Sequence, residues 1–353
     1  MAGERRIGIV GGGFIGRIHS WALYALTKGG VVDAAVTHVF DLDSAVATEL
    51  ARPHDAEVVA DLGALLEAVD TVWICTPTAA HLAVAREAAA RGRSIYCEKP
   101  LGRDLAEAAE VADVLAAVPH QVGLVLRASP VFRLLHDAVA SGRYGRLMAI
   151  VFRDDQAFPV GGQYGSTWRS DVAQAGGGTL LEHSIHDLDL LRWIGGDPTT
   201  VSGRTASFAG HPGVEDVASV DLAYGSGAVA TLTSVWHRIL SRPSTRRIEV
   251  FCEDALLWAD HDHLGPVHLQ TSEGEEILDC PQPEWVERLA VPEAARAPLA
   301  MYAAPDFEFL VALDGERPGM PGADEAMAAH HLVDAAYRSA ASGGEPVGIT
   351  FVR

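Results

Sequence analysis

The stretch "GIVGGGFIGRIH", residues 8–19, sets the first half of the fold. Gly11, Gly13 and Gly16 fit G-x-G-x-x-G and stand between a strand-like apolar run and a helical one, the context that dinucleotide binding requires. There Gly11 makes the tight turn, Gly13 lets the backbone approach a pyrophosphate at the helix N-terminus, and Gly16 allows close helix–strand packing. Phe14 and Ile15 open the helix and belong to the same cofactor loop. In a chain with 35 glycines the motif alone is weak, and the next strand gives it weight. That strand ends in "VFDLD", with Asp41 at its tip. An acid there accepts hydrogen bonds from the adenosine ribose and repels a 2′-phosphate. No arginine follows closely, so NAD is favoured over NADP. The competing role, a helix N-cap, fits Asp43 or Ser44 better than Asp41.

Around this loop the chain shows two regimes. From residue 5 to about 125, the runs "RIGIVG", "AAVTHVF", "TVWICTP", "SIYCEK" and "QVGLVL" alternate with Ala- and Leu-rich helical stretches. This pattern predicts a doubly wound parallel sheet, a Rossmann domain over residues 1–126. Beyond it, after the helical "VFRLLHDAVASG", longer alternating strands follow, and "YGSGA" signals a hairpin turn. Residues 127–353 therefore read as a second domain with a mixed or antiparallel sheet and helices on one face. The five prolines between residues 280 and 305 predict a long irregular segment, with two helices after it.

Composition narrows the function. A chain of 353 residues suits two domains, since single cores rarely exceed roughly 250–300 residues. A net charge of −20 argues against nucleic acid or an anionic membrane as partner. The four cysteines form no CxxC pair, no secretory signal is evident, and no run is long enough to span a membrane; a cytoplasmic, reduced protein is expected. Of 27 basic residues only Lys28 and Lys99 are lysine.

Three segments carry the chemistry. In "ICTPTAAHLAVA", Thr76 and Pro77 stand at a strand's carboxyl end, where open parallel sheets bind ligands. His81 either faces the cofactor or is a satisfied surface histidine. In "YCEKPLG", Lys99 stands out because lysine can be tuned towards neutrality and arginine cannot. Glu98 is placed to pair with or orient its ammonium. "GGGTLLEHSIHDLDLL", residues 176–191, reads as a flexible glycine turn opening one amphipathic helix. Glu182, His186, Asp189 and Trp193 share a face of it, as residues three or four apart do. Either that face is solvated or it is a site. His183 and His186 have metal-ligand spacing, but no third and fourth ligand can be identified, so no metal is expected.

The glycine loop, "TPTAAH", "EKPLG", "RASPVFRLL", "SGRYGRL", "WRSDVAQAGGGTLLEHSIHDLDLLRWIGG" and "AAYRSAASG" together resemble the glucose–fructose oxidoreductase / inositol dehydrogenase / rhizopine-catabolism family, Gfo/Idh/MocA, over nearly the whole length. The resemblance implies an NAD(P)-dependent enzyme acting on sugars, cyclitols or their derivatives, with residues 127–353 an α+β domain on a large, mostly antiparallel open sheet that binds substrate and carries self-association into a homodimer or homotetramer. It makes Lys99, His186 and Glu182 the catalytic residues, with Glu182 at the position of a family aspartate, gripping substrate together with His186, and Ser184 at that of a glycine. Arg127, Trp168 and Arg169 match positions near the nicotinamide or substrate. His183, Tyr164 and His237 are further substrate candidates, the last two with a structural role as the alternative, and Asp189 either supports the His186 ring or caps locally. The expected reaction is hydride transfer between nicotinamide and a secondary alcohol or ketone, with Lys99 or His186 moving the hydroxyl proton. Three alternatives stand beside it. They are NAD-assisted elimination or glycoside cleavage without net redox change, an imine or enone reductase, and a non-catalytic NAD-binding regulator.

Overall fold

A computed structural model describes residues 4–162, 164–261 and 264–351. Along the first third run β1 (Arg5–Val10), α1 (Phe14–Lys28), β2 (Ala34–Phe40), α2 (Ser44–Ala51), β3 (Glu57–Val58), α3 (Leu62–Ala68), β4 (Thr71–Ile74), α4 (His81–Ala90), β5 (Ser94–Cys97), α5 (Leu105–Leu115) and β6 (His120–Val122). Next come α6 (Pro130–Ala140), β7 (Leu147–Ala157), α7 (Val172–Ala175), α8 (Thr179–Glu182) and α9 (Ile185–Gly195). Then follow β8 (Pro198–Ala206), β9 (Val217–Tyr224), β10 (Val229–His237), β11 (Thr245–Cys252), β12 (Ala255–Ala259), β13 (Val267–Thr271) and β14 (Gly274–Leu278). The chain closes with α10 (Glu293–Asp314), α11 (Ala323–Ala341) and β15 (Val347–Gly348).

The chain divides into two compact units: Met1–Val125 with Gln282–Met327, and Leu126–Pro281 with Ala328–Arg353. The return of residues 282–327 to the first unit differs from a simple division at residue 126. The reason is apolar packing: Leu299, Ala300 and Ala303 of α10 share a buried cluster with Ala22, Ala25 and Leu26 of α1.

The first unit holds a six-stranded sheet in the order β3-β2-β1-β4-β5-β6, with every pairing parallel. The order reverses between β1 and β4, which makes their carboxyl ends the switch point where such sheets bind dinucleotides. Because both faces are covered, the strands read as near-continuous apolar runs; β4 and β5 are buried throughout.

The second unit holds a nine-stranded sheet, β14-β13-β12-β11-β7-β10-β9-β8-β15. It is antiparallel except for the β10–β7 pair. Alternation is regular: Ala218, Val220, Leu222 and Tyr224 of β9 point inward. The outward row of β9 and β10 mixes Ser219, Asp221, Thr231 and Thr233 with Val217, Val229 and Val235, so that face is part polar and part apolar. "YGSGA" is the β9–β10 turn.

Two segments depart from their sequence reading. Residues 293–305 are not irregular, because α10 contains both Pro298 and Pro305. A proline inside a helix removes a hydrogen bond, and here burial of Leu299, Met301, Ala304 and Phe309 outweighs that cost. Residues 179–191 are not one helix either, since α8 ends at Glu182 and α9 starts at Ile185. Among the described residues no helix is long and apolar enough to cross a membrane.

Candidate active site

In the first unit the glycine loop has the geometry its spacing predicts. Gly11 has φ +96°, and a Cβ there would meet the Cys75 carbonyl oxygen at 2.7 Å. At Gly16 a Cβ would stand 2.0 Å from the Gly11 oxygen, so only glycine lets α1 approach this closely. Gly13 differs, since a Cβ there would meet nothing within 4 Å. It is the N-cap of α1, with no side-chain cap hydrogen bond and no acid in the first turn to offset the helix's positive dipole end. Phe14 and Ile15, half-buried, begin the helix.

Asp41 is held at the end of β2 by backbone donors: its Oδ2 accepts from Gly12 N at 2.6 Å and its Oδ1 from Asp43 N at 2.8 Å. Asp43, as expected, caps α2. At the end of β4 the Thr76 hydroxyl is a buried polar atom without a hydrogen-bond partner among the described residues, next to Pro77. Open space at an uncapped helix start, an anchored carboxylate and an orphaned hydroxyl at the switch point fit a dinucleotide. His81 is buried, with Nδ1 2.9 Å from the Pro100 oxygen and Nε2 3.1 Å from the Thr76 oxygen. It braces the two loops that carry Thr76 and Lys99.

Lys99 lies just past β5 and is half-buried. Its backbone N–H donates to Glu98 Oε2 at 3.3 Å. The other Glu98 oxygen lies 2.9 Å from His19 Nε2, and His19 Nδ1 lies 2.8 Å from Asp306 Oδ1, which also accepts from Trp73 Nε1 at 2.8 Å. His19 and Asp306 are wholly buried. Burial alone lowers the imidazole's pKa, but Asp306 and Glu98 override it and hold His19 up at about 10.

In the second unit the glycine run is tightly packed, not flexible. A Cβ at Gly178 would overlap the Glu215 backbone. The Glu215 carboxylate accepts from Gly178 N (2.8 Å), Leu180 N (2.9 Å) and the Tyr337 hydroxyl (2.9 Å). After α8, Ser184 is drawn off the helical path: its Oγ lies 2.5 Å from Ser234 Oγ on β10 and 3.2 Å from Asp154 Oδ2 on β7. The chain then restarts as α9.

The polar residues of this segment are not a solvated face. Glu182, Asp187 and Asp189 are at most 1% exposed and His186 7%. Glu182 Oε2 accepts from Arg169 Nε at 3.1 Å, and that guanidinium lies 4.5 Å from the Trp168 ring centre. Asp189 takes both arms of Arg127 (2.8 and 2.6 Å), whose guanidinium also covers Trp193 at 5.5 Å. His183 Nε2 lies 3.0 Å from Asp154 and from Arg246, which also donates to Asp187 at 2.7 Å. Burial raises the Asp187 carboxyl to about 6 against the pull of Arg246. His237 stands 3.4 Å from Asp155, which is also bound by Arg242, while the Tyr164 carbonyl accepts from the Ser166 hydroxyl at 3.2 Å.

Two family models match the chain. The oxidoreductase family with an NAD-binding Rossmann fold covers residues 5–124, and the GFO/IDH/MocA C-terminal domain covers 132–257. The chain belongs to the GFO/IDH/MocA family. It is 29% identical to inositol 2-dehydrogenase of Rhizobium meliloti (strain 1021), over 95% of this chain and 97% of that one. It is 31% identical to 1,5-anhydro-D-fructose reductase of Ensifer adhaerens, over 64% and 67%. A solved structure of a putative myo-inositol dehydrogenase from Sinorhizobium meliloti 1021 superposes with a TM-score of 0.77 at 26% identity, covering 98% and 100%.

As a GFO/IDH/MocA oxidoreductase the chain is an NAD-binding enzyme of CH–OH groups, and most of its sequence-derived site residues fall into three sets, with Lys99 just past β5 and His186 near the start of α9 outside them. Gly11, Gly13, Gly16, Asp41, Thr76 and Pro77 gather at the sheet's switch point. Glu182 with Arg169 and Trp168, and Asp189 with Arg127, form two ion-paired groups around the α8–α9 break. Glu98, His81, His183 and His237 are engaged by other protein groups. Sequence patterns did not expose His19, Asp306, Asp154, Arg246 or Glu215. One signal was present: His19 ends the glycine motif, on the helix face that carries Gly16, Leu23 and Leu26 into the core.

Proposed function

We propose that the protein is an NAD-dependent dehydrogenase that oxidises a secondary alcohol of a cyclitol or sugar derivative, or runs the reverse ketone reduction. The observation that carries this is Lys99, one of two lysines in the chain, at the carboxyl end of β5, the strand next to β4 of the switch point. Thr76, Pro77, Asp41 and the α1 N-terminus hold the cofactor; Asp41 selects NAD over NADP by binding the ribose and repelling a 2′-phosphate. When NAD is bound, its nicotinamide accepts the hydride. The substrate's hydroxyl proton passes to Lys99 or His186, both proton-exchanging groups, and Lys99 is the residue arginine cannot replace. Arg169, oriented by Glu182 and stacked on Trp168, donates to the polyol, and Glu182 acts by orienting that guanidinium. The cyclitol and sugar specificities of the relatives support the polyol class.

Four free cysteines, three of them buried, suit a cytoplasmic setting, and self-association through the nine-stranded sheet gives a dimer or tetramer. The test is a panel of cyclitols, sugars and their ketones against NAD+/NADH and NADP+/NADPH, read by nicotinamide absorbance. Turnover of a polyol with NAD+ in preference to NADP+ is expected. Reduction of imines or enones alone overturns the reading.

A further inference from the structure

The buried group under Lys99 is more than packing. Glu98, His19 and Asp306 form a continuous chain of contacts of 2.9 and 2.8 Å within the first unit, ending at the backbone N–H of the reactive lysine. Tyr96 meets the His19 ring edge-on at 5.0 Å and stacks on Trp73 at 5.6 Å, closing the group from solvent. An ionised carboxylate beside a lysine stabilises the ammonium and makes its proton harder to lose. A base needs the opposite. The imidazolium on the far oxygen of Glu98 supplies the counter-charge.

We propose that His19 is a positioning residue of the reaction: a fixed imidazolium, held by Asp306, that offsets the charge of Glu98 so that Lys99 can give up its proton. This rests on the proton-transfer role assigned to Lys99 above. The contacts with Asp306 and Glu98 outweigh burial and keep the His19 ring protonated through neutral pH. The other titratable groups facing them are silent there. Cys75, Cys97 and Tyr96 are all pushed up by burial, with Glu98 adding to the shift, and stay neutral. Glu308 of α10 acts on Tyr96 from further off.

The chain's lysine count makes the test direct. In a Lys28→Arg background, isotope-labelled lysine gives a single side-chain NMR signal, that of Lys99. Its titration midpoint is read with NAD+ bound and no substrate, in that protein and with His19→Gln or Asp306→Asn added. The Asp306→Asn change keeps the acceptor oxygen used by His19 and Trp73 and replaces Oδ2, which has no partner among the described residues; a ring left neutral then keeps one of its two hydrogen bonds, to position 306 or to Glu98. Without the Asp306 charge the buried ring loses its proton. His19→Gln should raise the Lys99 midpoint by about one pH unit, the scale of one unit charge at partial screening, and Asp306→Asn, which removes a more distant carboxylate charge along with the ring's proton, should raise it by less. A folded variant with the Lys99 midpoint unmoved overturns the proposal and shows a purely structural trio. If neither variant folds, the His19 ring signal of the parent protein decides: it should not titrate below about pH 9, and a midpoint near the ordinary histidine value overturns the proposal. Failure of the catalytic reading is seen separately, as full turnover in Lys99→Arg.

Discussion

Gly13→Ala and Gly16→Ala differ by one methyl group at two positions of the same loop, yet the structure separates their consequences. Gly13 has φ −65° and ψ −168°, which alanine adopts freely, and its added Cβ meets nothing within 4 Å of the protein. Removing the glycine's unfolded-state freedom favours the cofactor-free chain by about 0.4–1 kcal/mol, which offsets the poorer N-cap that alanine makes there. The methyl group instead occupies the space through which the pyrophosphate reaches the N–H groups of α1. NAD present at 100 times its dissociation constant stabilises the wild type by about 2.7 kcal/mol, and that increment should vanish in the variant. Gly16→Ala drives a Cβ to 2.0 Å from the Gly11 oxygen, a backbone atom that cannot swing away, and should cost about 1–3 kcal/mol or more before any ligand is added. Thermal unfolding with and without NAD+ reads both numbers. Gly13→Ala should melt at or slightly above wild type without cofactor and show no NAD-induced shift, whereas Gly16→Ala melts low in both conditions. A Gly13→Ala protein that keeps the full NAD-induced shift refutes the placement of the pyrophosphate at α1.

Asp41→Ala should weaken NAD binding about tenfold, the scale of one lost hydrogen bond to a charged group, and erode the preference over NADP, measured by titration of both cofactors. A wild type that binds NADP as tightly refutes the selection. His186→Ala should lose a factor on the order of 10² to 10⁴ in turnover, with NAD affinity intact, when both are measured on one preparation. Glu182→Asp withdraws the carboxylate from its 3.1 Å contact with Arg169 and should raise KM for the polyol more than it lowers kcat; an unchanged KM counts against the orienting role. His54, lowered from 6.5 to about 4 by burial, binds its proton less readily folded than unfolded. Its contribution, about 2–3 kcal/mol at most, is present above pH 6.5 and lost as pH falls through 4, so His54→Asn should flatten stability across that window in denaturant titrations.

What the sequence made legible follows from the range of the forces involved. The glycine loop and the parallel strands are local patterns, a turn geometry and runs of apolar residues, and they read correctly. Asp41 and Asp43 were separable because capping and strand-tip positions differ by two residues. The helix break at His183–Ser184 was not visible, because Ser184 is pulled aside by Ser234 and Asp154, fifty and thirty residues away. Nor was α10, whose two prolines announce a break that burial against α1 overrules. The partner of His19 lies 287 residues on, and no periodicity reports a pair at that separation. Candidate residues were found where a motif carries them. Their buried partners, Asp306, Arg246 and Glu215, came only with the fold.

In the proposed reaction a substrate carbon gives hydride to nicotinamide while Lys99 or His186 takes the hydroxyl proton. Isotope transfer tests this step without intermediaries. It uses a polyol identified by the substrate panel, deuterated at the reacting carbon, with NAD+ and the wild-type enzyme, the reduced nicotinamide being analysed by mass spectrometry. One deuterium per turnover should appear in NADH, and Lys99→Arg should form none. Substrate consumed without net NADH, or deuterium released to water, would contradict hydride transfer as the net reaction and point to elimination.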